Sequence, residues 1–181
     1  MCLGKGLRAE RPGILIGIFI GAVILAQLWS QYSALSSFPV MHNISTDTLN
    51  PPAFDVLVAV REAEAANPLA YDAEVLAEQQ KAAYPDVKTL NSTQTSEVLF
   101  VQTLAVFRDM GIEIVNENSS SGIIEGTDTT FWFGFKDDVV VRIQATASGS
   151  DVDIRSVSRV GRSDLGVNAK RINAILDALK E

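Results

Sequence analysis

The sequence predicts an α+β protein: an N-terminal transmembrane helix, then a two-layer domain in which a mainly antiparallel sheet carries helices packed on one face. Residues 13–29, GILIGIFIGAVILAQLW, hold no charge and are apolar all round a helix. Residues 94–110 set Phe100, Leu104 and Phe107 on one helical face, widened by Val98, Val101 and Ala105. Residues 138–160 alternate apolar and polar side chains at the period of a strand, through a Ser-Gly-Ser-Asp turn at 148–151.

The N-terminal elements come first. Lys5, Arg8 and Arg11 precede the apolar run, and the next ionised residue is Asp47. The positive flank should stay in the cytoplasm and the rest of the chain should lie outside it. The expected organisation is a basic tip and single-pass anchor over 1–32, a stalk over 33–40 and an extracytoplasmic domain over 41–181, with the lipid bilayer the partner of residues 13–29. The competing reading is a signal peptide cleaved near Ser36, after the small-residue pattern Ala34-Leu35-Ser36, which would leave a secreted protein. The apolar run exceeds the core of about 7–15 residues that such peptides carry, which favours retention. Gly13, Gly17 and Gly21 form a GxxxGxxxG stripe, a pattern for close association with the helix of a membrane-protein partner.

The single cysteine, Cys2, and the single histidine, His42, leave no disulfide and no thiol or imidazole cluster, so neither a metal nor a cofactor is expected. The net charge of −7 is unevenly spread. Between Asp47 and Asp128 the only bases are Arg61, Lys81, Lys88 and Arg108, whereas the signs roughly balance from Thr129 onward. An acidic body lacks the basic footprint that a phosphate backbone requires, so nucleic acid is not an expected partner.

Residues 41–54 should be irregular, because Asn50 precedes Pro51-Pro52 and is biased to extended geometry. A short helix over 55–66 breaks at Asn67-Pro68, and 72–83 is a helix of good formers anchored by Tyr71, Val75 and Leu76. A turn at Tyr84-Pro85-Asp86, a short strand over 87–90 and the capping residues Asn91-Ser92-Thr93 lead into the 94–110 helix, which Gly111 ends. A strand over 112–117, a turn over 118–122 and a return strand over 123–135 follow. Phe131, Phe133 and Phe135 are read onto one face of that return strand and Trp132 onto the other.

In the last hairpin, Gly149 has a structural role in the turn. With Gly149-Ser150 as the loop, Val141 pairs with Ser158 and Val140 with Arg159. Val139, Val141, Ile143, Val152 and Ile154 then face the helices, while Arg142, Asp153, Arg155 and Arg159 line the other face. Ser156 and Ser158 fall on the apolar side, where an unpaired hydroxyl costs roughly 1–3 kcal/mol, so each needs a partner. Asp164 is placed to cap a final helix carrying Leu165, Ala169, Ile172, Leu176 and Leu179. Arg159 and Arg162 would then stand near the free N–H groups of a helix start, an anion-binding arrangement.

The run RSVSRVGRSDLGVN at Arg155–Asn168, with HNISTDTLNPPAF and YDAEVLAEQQKAAYPDV upstream, resembles the bacterial Domain-of-Unknown-Function 1499 family from Met41 to the C-terminus. The resemblance implies an α+β domain that is extracytoplasmic (periplasmic in a bacterium) or membrane-associated, and brings no activity. The residues are therefore weighed on their chemistry. Arg142, Arg155, Arg159 and Arg162, with Ser163 and Asn168, are the candidate ligand-binding set for an anionic small molecule or partner, through guanidinium contacts. The bland alternative is a salt-bridged sheet face in which Asp138, Asp151, Asp153 and Asp164 neutralise the arginines. Adjacent Asp137 and Asp138 point to opposite faces of a strand, which favours structural pairing over joint acid–base work. A non-enzymatic binding or interaction module is the first functional reading. A small hydrolase or lyase acting on an anionic substrate through Asp138, Ser163 and the arginines is the alternative.

Overall fold

The computed structural model describes residues 6–36, 38–71 and 73–180, in two compact units, Met1–Phe38 and Pro39–Glu181. The first unit is helix α1 (Gly6–Ser36), whose stretch Gly13–Ser33, 21 residues, is long and apolar enough to cross a membrane. At ~1.5 Å per residue such a stretch covers about 30 Å, the hydrocarbon thickness of a bilayer. Ile16, Phe19, Ile24 and Leu25 are exposed around it, as a membrane anchor or a signal sequence requires. The helix runs on to Ser36, into the segment expected as a stalk.

The second unit contains β1 (Asn43–Ser45), α2 (Val56–Ala63), α3 (Ala73–Ala83), β2 (Leu90–Ser92), α4 (Ser96–Asp109), β3 (Glu113–Asn118), β4 (Ile123–Thr129), β5 (Lys136–Thr146), β6 (Gly149–Ser158) and α5 (Val167–Ala178). All strand pairings are antiparallel, in the order β1-β6-β5-β4-β3, and β2 lies further along the same edge of β6 as β1. The α+β expectation holds. Strand β1 replaces an expected irregular segment: its three residues pair with Val157, Ser156 and Arg155, so the edge of β6 supplies an order that local propensity does not.

The central hairpin differs from the expected register. Thr146 pairs with Gly149 and Val140 with Arg155, so the loop is Ala147-Ser148 and every partner is displaced by four positions. Because the displacement is even, each side chain keeps its face. Val139, Val141, Ile143, Val152 and Ile154 pack with Leu99, Phe100 and Phe107 of α4 and Ile172, Ile175 and Leu176 of α5. The opposite face is covered as well: Val140 and Val157 pack under Phe54 and Leu57, with α2 laid across them.

Helix α4 ends as expected. Gly111 sits at φ +74, its N–H donates to the Arg108 carbonyl, and the Ile112 N–H reaches back to Phe107. Its buried face is Leu99, Phe100, Thr103 and Phe107, while Val98 and Val101 are exposed. The apolar stripe is thus narrower and rotated from the one the periodicity suggests. The return strand also stops early, at Thr129. Thr130 accepts the Gly134 N–H on its carbonyl and the Phe135 N–H on Oγ1, closing a loop that carries the aromatic residues out of the sheet.

Gly149 stands at φ +149, and a Cβ there would lie 2.0 Å from the Ser92 carbonyl oxygen. Gly149→Ala should therefore cost about 2–4 kcal/mol in chemical denaturation of the detergent-solubilised chain. Gly111→Ala, whose Cβ meets open space, should cost only about 1 kcal/mol.

Candidate functional site

The charged face of the hairpin is a buried network. Asp138, near the start of β5, is fully buried. Its Oδ2 accepts from Arg61 of α2 at 2.6 Å and from Arg159 Nε at 2.9 Å, and its Oδ1 accepts from Arg159 Nη2 at 2.8 Å and Thr127 Oγ1 at 2.8 Å. Arg159 also donates to Glu64 at 2.6 Å. Its hydrogen bond to Asp138 raises its pKa above the ordinary value, against the opposing effect of burial. Arg159 and then Lys136 hold the Glu64 carboxyl below its usual 4.5.

The remaining arginines are spread over the domain. Arg142 bridges Asp153 at 2.8 Å and Asp47 at 3.1 Å. Arg171 of α5 bridges Asp137 and Asp128, each at 2.7 Å, and donates to Ser156 Oγ and Asn168 Oδ1. Asn168 in turn accepts from Ser156 and donates to Ser158 and to the His42 carbonyl, so both serines on the apolar face have partners. Arg155 is buried with no carboxylate partner among the described residues. It donates to Asn43 Oδ1 and to the carbonyls of Pro52 and Leu69, with its guanidinium 5.6 Å from the Phe54 ring and 5.9 Å from the Tyr71 ring. Burial, then repulsion from Arg61, lowers its pKa to about 10, and burial pushes the Tyr71 hydroxyl up to about 12.

The segment after β6 carries the other site residues. Asp164 accepts from the N–H groups of Gly166 and Asn168 at the head of α5, which makes it the working cap although Gly166 precedes the helix. Ser163 donates to the Pro39 carbonyl at 3.3 Å and accepts from the Leu165 N–H. Asp164 N–H donates to the Met41 carbonyl, so the first residues of the domain are tied to this loop. Arg162 is exposed and makes no ion pair among the described residues; it flanks a shallow depression with Val40 and His42.

The same loop borders a cleft of about 440 Å³ between Thr130, Phe135, Ser158, Ser163, Leu165 and Val167. Beside it Phe131, Trp132 and Phe133 are 90 %, 84 % and 77 % exposed. A larger depression, about 550 Å³, lies by Ser96, Ser120 and Gln144 and contains none of the arginines.

The family described as "Protein of unknown function (DUF1499)" matches residues 43–179. The chain belongs to the DUF1499 family. No curated protein matches it. The DUF1499 domain places Arg155, Arg159 and Asn168 in separate buried polar clusters and Arg142 in a partly buried one, and brings only the exposed Arg162 and the partly buried Ser163 to one surface loop. Arg61 and Glu125 take on roles that sequence reasoning did not assign. Glu125, fully buried, accepts the N–H groups of Asp55 and Val56 and so caps α2 from a different strand. An acid directly after the apolar pair Ile123-Ile124 was the one signal for it.

Truncating one side of a buried ion pair typically costs about 3–5 kcal/mol. Arg159→Ala should show a loss of that size in chemical denaturation, and Arg162→Ala a change within about 0.5 kcal/mol. The Glu64 contact gives a pH test. Its folded pKa is depressed, so its contribution is present above about pH 4.5 and is lost as the pH falls through the folded value. Glu64→Gln should flatten the fall of melting temperature below pH 4.5, and an unaltered acid limb would contradict the assignment.

Proposed function

We propose that this DUF1499 protein is a single-pass, membrane-tethered binding or interaction module working outside the cytoplasm, without catalysis of its own. The parsing that goes with this is a basic tip and anchor over 1–32, a short tether over 33–40 and a periplasmic domain over 41–181. The observation that carries the reading is the contrast between two polar sets. The side chains that acid–base or nucleophilic chemistry would recruit, Asp138 and Ser163, are hydrogen-bonded to Arg61, Arg159 and Thr127 in the first case and to backbone groups in the second. Exposed apolar residues instead surround the cleft beside Ser163, with Val160 53 % exposed and Phe135 52 %. A surface of that kind on a soluble domain favours recognition.

Of the arginines proposed to meet an anionic ligand or partner, Arg162 is the one that is exposed and makes no ion pair among the described residues. Binding would therefore combine one guanidinium with an apolar wall. Two measurements test the proposal. A topology reporter fused to the C-terminus should be active only outside the cytoplasm, and the chain should stay in the membrane fraction at full mass. A soluble chain shortened by about the first 36 residues would replace the tether with secretion.

A further inference from the structure

The loop from Thr130 to Phe135 is the least explained part of the domain. It presents four aromatic rings: Phe131 and Trp132 meet edge to face at 5.3 Å and Phe133 and Phe135 stack at 5.5 Å. The rings thus lean on one another rather than on the core. Burying one large apolar side chain is worth roughly 1.5–3 kcal/mol, so a hairpin tip that leaves several in water calls for a second apolar surface.

Position in the fold identifies that surface. Phe135 lines the cleft with Val160, Leu165 and Val167, each of them also exposed. The rim of that cleft is the loop whose Ser163 and Asp164 hold Pro39 and Met41. The aromatic loop and the point where the chain enters the domain therefore gather around one short segment. Between the apolar span, which ends at Ser33, and Pro39 lie residues 34–38. Fully extended, they reach about 18 Å or less, at roughly 3.3–3.6 Å per residue. The exposed rings thus lie at the end of the domain where the chain enters it.

The composition fits the same partner. Trp favours the headgroup level of a bilayer, where its apolar body and polar edge are both satisfied, and Phe serves on the apolar face of interfacial segments. Arg162, exposed beside Val40 and without an ion pair among the described residues, supplies a guanidinium for lipid phosphate.

We propose that Phe131, Trp132, Phe133 and Phe135, with Val160, Leu165 and Val167 and with Arg162 at the margin, form a second membrane contact that docks the domain onto the bilayer its own anchor crosses. This rests on the tethered reading above and names the lipid surface as the partner. The rings enter the headgroup–acyl boundary by about 5–10 Å, as other interfacial apolar faces do.

Trp29 and Trp132 are the only tryptophans, which gives each half of the idea its own reporter. The full chain carrying Trp29→Phe is reconstituted into phosphatidylcholine–phosphatidylglycerol vesicles, with and without brominated acyl chains. The expected result is a blue-shifted Trp132 emission that loses about half or more of its intensity to bromine placed near the boundary depth. Adding Phe131→Ser and Phe133→Ser should abolish that loss. Quenching that survives both serines would reflect mere nearness of the leash and would overturn the contact. A blue shift without quenching would overturn it in favour of a protein surface, such as a second copy.

The Trp132→Phe chain reports on the anchor through Trp29. Quenched Trp29 with unquenched Trp132 removes the contact and keeps the anchor. Unquenched Trp29 with quenched Trp132 removes the anchor and keeps the contact.

Discussion

Asp138 is a carboxylate out of reach of water, clamped between two guanidinium groups that come from segments far apart in the chain. Taking such a charge out of water costs several kcal/mol, which is recovered only when its lone pairs are filled with good geometry. Both of its oxygens are filled here. The four bonds tie α2 through Arg61, β4 through Thr127 and the segment after β6 through Arg159 to one atom group on β5. The positions of α2 and of the 159–164 loop follow from that clamp, and with them the cleft.

The same device recurs. Asp153 holds Thr46, Thr89 and Arg142, Asp137 holds Arg171 of α5, and Glu125 holds the start of α2. Each buried acid on a strand fastens a segment that hydrophobic packing alone would hold loosely. Seen this way, the uneven charge of the sequence is internal complementarity. Asp47, Glu64 and Asp128 of the acidic stretch meet Arg142, Arg159 and Arg171 of the charge-balanced one across the fold.

Periodicity carried most of the architecture. The strands of the central hairpin, the 94–110 helix and the last helix rest on repeating apolar positions; the structure keeps the faces of the strands and narrows and rotates that of the 94–110 helix. What escaped was set by partners distant in the chain. The hairpin register depends on where the turn closes, and an even slip leaves the alternation of Val139, Val141 and Ile143 unchanged. Strand β1 exists because β6 offers an edge, which nothing in Asn43-Ile44-Ser45 announces. The aromatic residues 131–135 have the spacing of a strand, yet Thr130 closes them into a loop. The arginines were visible as a set, but whether each meets an acid depends on residues such as Glu64 and Arg61, placed many positions away. Arg155 goes further, satisfied by carbonyls and two rings that no pattern of charges would reveal.

The two edges of the sheet are unequal. On one side β1 and β2, three residues each, share the flank of β6, so no long edge is left open there. On the other, β3 breaks its pairing between Ile114 and Asn116 and exposes Glu113 and Glu117. Irregular pairing and outward carboxylates are what keep one sheet from extending another. On the tethered reading proposed above, copies share one plane and collide more often than copies free in solution. A flank that repels its twin lets such a domain be crowded on a surface without seeding fibrils.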